Sequence, residues 1–279
     1  MHILFLVLAA LTLTSLSACT ADTDQHAGDT QSSAPSPATI QANKDSAKAL
    51  DFSDNKDFEN AKRGLVAATT DLKVYDAQGK ILWDLNEYQF ISGDAPDSVN
   101  PSLWRQAKLN NIAGLFKVAE GLYQLRGFDL ANMSLIQGDN GWIVVDPLTA
   151  KETARAAMDF AHKHLGRQKI TAIIFTHSHV DHFGGVAGVL ASTVQSAEQV
   201  EVIAPEHFLE ESVSENVLAG TAMTRRAMFM YGKRLPRSAR GHIGSGLGKA
   251  PAFGSMGILE PNQSVTEQGL RTQLDGCLL

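Results

Sequence analysis

Apolar positions along the chain follow two kinds of pattern, and the change from one to the other divides it. From Leu72 to Val145 they come in short runs set off by turn residues. "LKVYDAQGKILWDL" carries two such runs around Asp76-Ala77-Gln78-Gly79 and predicts a hairpin. "SLWRQAKLNNIAGLF" predicts a helix. "GLYQLRG", "NMSLIQG" and "GWIVVDP" read as strands, the last two joined by Gly138-Asp139-Asn140-Gly141. Beyond Val145 the period lengthens. Thr149 and Glu152 have the spacing of a capping box. Ala154, Ala157, Met158, Ala161 and Leu165 form a helical stripe that Gly166 ends. "KITAIIF" then predicts a buried strand, "GGVAGVLAS" a helix and "QVEVIAP" another strand. Two βα units after an antiparallel opening predict an α/β (α+β) fold with strands between helical layers.

The N-terminal region is patterned differently. Its apolar run, Ile3 to Leu13, is too short to cross a bilayer and leads into small residues, which predicts a signal peptide over residues 1–18. Leu16-Ser17-Ala18-Cys19 resembles the bacterial lipobox. Export to the periplasm, lipidation of Cys19 and anchoring to a membrane are therefore expected, with an ordinary cleaved signal as the alternative. Residues 19–50 are rich in Ser, Thr, Ala, Asp and Pro, and predict a disordered tether before a globular part at 51–279.

Composition narrows the function classes. The 279 residues are 44% apolar, enough for a sizeable core, and the net charge of -6 gives no footprint for nucleic acid. Cys19 and Cys277 stand at opposite ends and predict no disulfide framework. The Gly-rich "GHIGSGLGKAPAFGSMG" has Ala250 after Gly248-Lys249 and fits neither the phosphate-loop nor the dinucleotide spacing.

The chemistry concentrates in "IIFTHSHVDHFGGVAG". Leaving a buried strand, the chain is still extended at His177 and His179, and a period of two puts both rings on one side. Two imidazoles can then hold one cation, and a turn afterwards points Asp181 and His182 at a second position. One loop can thus serve two metals about 3.5–4 Å apart, the spacing used to activate water. Gly184 and Gly185 leave that turn uncrowded. The loop lies at the C-terminal end of a strand, where α/β sheets place their sites. Imidazoles with a carboxylate suit Zn²⁺, though the same donors take iron or manganese. His26 lies in the tether with no partner suggesting metal, and His162, His164, His207 and His242 read as structural.

"THSHVDHFGG" resembles the H-x-H-x-D-H signature of the metallo-β-lactamase superfamily, whose fold is an αββα sandwich with a mono- or dinuclear site, commonly zinc. The longer stretches "SVNPSLWRQAKLNNIAGLFKVAEGLYQLRGFDLANMSLIQGDNGWIVVDPLTA", "ENVLAGTAMTRRAMFMYG" and "GLGKAPAFGSMGILEP" resemble its alkyl (dodecyl) sulfatases. The resemblance implies that His177 and His179 hold a first zinc and Asp181 and His182 a second, for hydrolysis of alkyl sulfates to alcohol and sulfate. Met223 and Tyr231, in the Met- and aromatic-rich run 216–232, then suit an alkyl chain, or else belong to a helix core or interface. Family members are about twice as long, so the chain is expected to hold the N-terminal part of the sandwich, without the downstream zinc ligands or the dimerisation domain. A non-catalytic lipoprotein remnant that binds metal or amphiphile weakly, and another hydrolase such as a thioesterase or lactonase, are the alternatives.

Overall fold

The computed structural model describes residues 33–193, 200–270 and 272–278. Cys19, His26 and the signal sequence lie outside them.

The N-terminal elements lie at the periphery. Helix α1 (Pro37–Ala49) is capped by the Ser36 hydroxyl on the Thr39 N–H, with Pro37 in its first turn and no buried residue. This corrects the expected disorder for residues 37–49: Ala, Gln and Lys favour helix even where nothing is buried. Asn43 donates to the Asp97 carbonyl at 2.8 Å and ties α1 to the domain. Helix α2 (Lys56–Lys62) follows, then strand β1 (Leu65–Ala68). The hairpin forms as its turn residues predict, β2 (Lys73–Tyr75) against β3 (Ile81–Asp84), with Asp76 accepting from Lys80 N.

Helix α3 (Pro101–Asn110) is shorter than the apolar pattern predicts. The chain leaves it at Asn111 and runs on from Gly114, with φ 148 and no room for a Cβ against Ala67 O, as β4 (Gly114–Ala119). Strands β5 (Leu122–Arg126), β6 (Met133–Gln137) and β7 (Gly141–Val145) continue the antiparallel run. Beyond β7 the sheet becomes parallel, with β8 (Lys169–Ile174), β9 (Glu201–Pro205) and β10 (Gln263–Val265). One eight-stranded sheet results among the described residues, ordered β1-β4-β5-β6-β7-β8-β9-β10.

Period two sorts the side chains of this sheet. Trp142, Val144, Ile170 and Ile173 face helices α4 (Lys151–Leu165) and α5 (Val186–Ala191) and join Ala154, Ala157, Met158 and Val189 in the main core. Gly188 lets α5 sit against α4, since a Cβ there would meet Lys151 O at 2.0 Å. Ile143, Ala172 and Ile203 face the other way, onto Leu274 of the hairpin β11 (Gln273–Leu274) and β12 (Cys277–Leu278). Asp275 and Gly276, both at positive φ, form its turn, and the Asp275 carboxylate accepts from Asn140 N at 2.9 Å. Of the four layers of an αββα sandwich, the described residues supply the helices, one sheet and this two-stranded cover.

The predicted capping box does not form. Helix α4 has Ala150 at its N-cap position and no side-chain cap. Thr149 instead donates its hydroxyl to Asp129 at 2.8 Å, and Glu152 accepts from Ser255 N and Oγ. Tertiary partners took both side chains. Helix α6 (Phe208–Val213) passes through a wider turn at Ser214–Leu218 into α7 (Gly220–Tyr231), which buries none of its residues.

Candidate metal centre

Strands β7 and β8 run parallel and end side by side, so the residues after each are neighbours. After β7 comes Asp146, a non-glycine residue at φ 56, held there with Leu148 at φ 66. Asp tolerates this left-handed conformation better than most, yet strain of order 1 kcal/mol is stored. After β8 come Thr176 and the histidine loop. Asp146 accepts from Thr176 N at 2.9 Å, from the Thr176 hydroxyl at 2.8 Å and from His182 Nδ1 at 2.8 Å. One buried carboxylate therefore clamps the start and the end of the H-x-H-x-D-H segment.

The cluster is compact. The rings of His177 and His182 lie 4.1 Å apart, and those of His177 and His179 4.7 Å. The hydrogen bonds decide which nitrogens remain open. A hydroxyl has one proton, and Thr176 gives its own to Asp146, so at 2.9 Å it accepts from His177 Nδ1. His177 Nε2 thus keeps its lone pair. In His182, Nδ1 is committed to Asp146, which leaves Nε2, 3.3 Å from Asp181 Oδ2. In His179, Nε2 faces Glu215 Oε1 at 3.4 Å, which leaves Nδ1. His177 and His179 each have one nitrogen turned to a supporting group and the other open, as metal-binding histidines do, whereas both nitrogens of His182 face carboxylates.

Charge completes the picture. Burial and the neighbouring His182 and His179 charges lower the His177 pKa, so this ring is a neutral donor. Burial raises the Asp181 carboxyl, but the His182 hydrogen bond and charge outweigh it and hold the group below its usual 3.8. Burial lowers His182, yet hydrogen bonds to Asp146 and Asp181 together hold it up at about 9. A proton between His182 and two carboxylates sits where a cation would be equally favoured. Among the described residues no three His, Cys, Asp or Glu side chains enclose a point as a closed metal site. The donor set fits a divalent ion by its chemistry, three neutralisable imidazoles and an ionised carboxylate on one loop.

The glycines serve close approach rather than unusual backbone angles. A Cβ on Gly184 would meet Thr149 O at 2.3 Å, and one on Gly185 would meet Pro147 O at 2.2 Å. The loop is thereby pressed against the segment that carries Asp146. Behind it lies a second buried carboxylate, Asp129. It accepts from Thr153 Oγ1 at 2.6 Å, Leu130 N at 2.7 Å, Thr149 Oγ1 at 2.8 Å and Ala252 N at 3.0 Å.

The structure places His177, His179, Asp181 and His182 near one another on the loop, with the His177 ring nearer that of His182 than that of His179. Met223 and Tyr231 lie on α7, and no hydrogen bond or ring contact ties them to the cluster among the described residues. The other described histidines take no part in the cluster. His162 and His242 are buried, His164 packs on the Phe160 ring, and His207 lies 3.4 Å from Glu210. Lys249, in the Gly-rich segment, is buried with its amine on the Asn110 carbonyl, which suits no phosphate loop. Asp129, Asp146, Thr176 and Glu215 escaped the sequence reading. The only available signal was an acidic residue at the end of a buried strand in "GWIVVDP".

Comparison with known proteins agrees with this geometry. The sequence model of the metallo-beta-lactamase superfamily matches residues 126–257. A linear primary-alkylsulfatase of a Pseudomonas species is 44% identical over 241 residues, 86% of this chain and 36% of that protein. An (R)-specific secondary-alkylsulfatase of a Pseudomonas species is 46% identical over 243 residues, again 86% of this chain and 36% of the relative. The solved structure of the stereoselective inverting sec-alkylsulfatase Pisa1 from Pseudomonas sp. superposes with a TM-score of 0.82 at 44% identity, covering 88% of this chain and 39% of that one. The chain thus carries a metallo-beta-lactamase domain match over residues 126–257, is similar to alkylsulfatases over most of its length, and spans little more than a third of the length of those it matches.

Proposed function

We propose that this chain carries the metal centre of an alkylsulfatase-type hydrolase acting on alkyl sulfate esters. The observation that carries the reading is the arrangement of the cluster: His177 and His179 each have one nitrogen turned to a neighbour and one left open, beside an ionised Asp181 that lies 3.3 Å from His182. His177 and His179 would hold one zinc ion, Asp181 and His182 a second. Bound zinc lowers the pKa of water to near 7 and so supplies a nucleophile at neutral pH. The chain's own groups orient the rest. Asp146 fixes the His182 ring, Thr176 fixes that of His177, and Gly184 and Gly185 press the loop onto the β7 end. Helix α7 leaves Met223 and Phe229 exposed, a surface that suits an alkyl chain, with Tyr231 at its end. Export by the N-terminal signal and lipidation of Cys19 would place the centre in the periplasm, at a membrane.

The test is zinc binding and sulfate release from dodecyl sulfate by the 279-residue chain and its His177→Ala and Asp181→Ala variants. A dinuclear site uses about three protein ligands per metal, and this loop offers four donors. Fewer than two zinc per chain and slow sulfate release are therefore expected, with both lost in His177→Ala. Zinc binding indifferent to that substitution would refute the reading. Zinc binding with no sulfate release would leave a weak metal binder, the second reading, which the open arrangement of donors favours.

A further inference from the structure

We infer that Glu215 is a positioning residue of this metal centre, acting through the ring of His179. The inference rests on the reading of the histidine loop as a metal centre. Between α6 and α7 the helix widens into a π-turn at Ser214–Leu218, closed by Ala219 N on the Ser214 carbonyl at 2.9 Å. Such turns cost hydrogen-bond geometry and recur at functional sites. This one brings two successive side chains onto the H-S-H segment. Glu215 Oε1 stands 3.4 Å from His179 Nε2, and Asn216 Nδ2 donates to the Ser178 carbonyl at 3.4 Å and to Ser212 O at 2.9 Å. Glu215 is only 27% exposed at its side chain, whereas Glu210, on the preceding helix, is 77% exposed and faces solvent.

An ion pair with a ring as exposed as His179 contributes little to folding. Its effect is to choose a tautomer. With the Glu215 carboxylate 3.4 Å from Nε2, the ring proton is favoured on that edge and the lone pair on Nδ1, on the other edge of the ring. The Thr176 contact to His177 and the Asp146 contact to His182 make the same kind of choice. Carboxylates behind ligating histidines fix ring orientation and raise donor strength, and their loss typically weakens metal binding 10–100-fold. Glu215 lies outside the H-x-H-x-D-H motif, 36 residues from the ring it holds.

The experiment uses the full chain and titrates zinc against a chromophoric chelator, with Co²⁺ absorption as the spectroscopic readout. Glu215→Ala should weaken zinc binding roughly 10–100-fold and shift the Co²⁺ bands. Glu215→Gln, whose amide oxygen accepts the same N–H, should recover most of the affinity. Metal-free thermal unfolding should be the same in both variants as in the parent, and Glu210→Ala should bind zinc normally. Parental affinity in Glu215→Ala overturns the inference. So does a Glu215→Gln loss as large as that of Glu215→Ala, or a metal-free chain that melts early. His177→Ala separates the two levels: if it too binds zinc like the parent, the metal centre itself is misread, whereas loss in His177→Ala alone removes only the role of Glu215.

Discussion

Replacing Asp129 by Ala tests how the frame behind the metal centre is held. The carboxylate is fully buried, and its hydrogen bonds join three segments distant in sequence: the β5–β6 connection at Leu130, the start of α4 at Thr149 and Thr153, and the 252 strand-like segment through Ala252 N. In Asp129→Ala the Thr153 hydroxyl keeps its bond to Ala150 O at 3.0 Å, but Leu130 N, Ala252 N and the Thr149 hydroxyl lose their acceptor in a dry site. Each orphaned donor costs about 1–3 kcal/mol. Burial pushes the Asp129 carboxyl pKa up despite these bonds, so removing it also relieves part of a desolvation cost. Three orphaned donors, less the desolvation relieved, put the net loss at about 3–5 kcal/mol. That is a large share of the roughly 5–15 kcal/mol that holds a domain together, and corresponds to about 6–20 °C in Tm for a domain of this size. Circular dichroism during heating and urea titration measures it. A Tm within about 2 °C of the parent would refute the reasoning, since by the same scaling the network would then contribute less than about 1 kcal/mol.

Three further outcomes follow from particular residues. His242 is buried with both ring nitrogens unpaired, and burial, aided by Arg237, pushes it down to about 4. Between pH 6.5 and 4 the unfolded chain takes up a proton that the folded one refuses, so stability should fall across that window by roughly 3 kcal/mol, and His242→Phe should flatten the profile in urea titrations. Gly188→Ala places a Cβ 2.0 Å from Lys151 O and should cost about 1–3 kcal/mol by forcing α5 from α4, read as a lower Tm with unchanged metal-free helicity. Zinc at about a hundred times its Kd should stabilise the chain by roughly 2.7 kcal/mol, an increment that chelator removes and that Asp181→Ala lacks in differential scanning fluorimetry.

The local patterns read correctly from sequence are those whose causes are local. Strands β5 to β8 follow from apolar runs bounded by turn residues, and α4 from a stripe closed by Gly166 at φ 86. The candidate donors were legible as a cluster because all four fall within six residues of one loop that follows a strand end. What sequence could not decide are the choices in which distant groups compete. Thr149 and Glu152 have the spacing of a cap, yet Asp129 and Ser255 bind them instead, because a buried carboxylate and a crossing segment offer better partners than the helix end. Gly114 opens β4 rather than extending α3, because β1 lies against its backbone where a Cβ would meet Ala67 O. The groups that make imidazoles into ordered donors, Asp146, Thr176 and Glu215, are set by tertiary structure as well. Asp146 stands 36 residues from His182, and only the parallel pairing of β7 with β8 brings their ends together. Sequence determined which candidate donors share one loop. Only the folded chain decided which nitrogen of each imidazole faces a supporting group, because a tautomer is chosen by the hydrogen bond on the ring's other side.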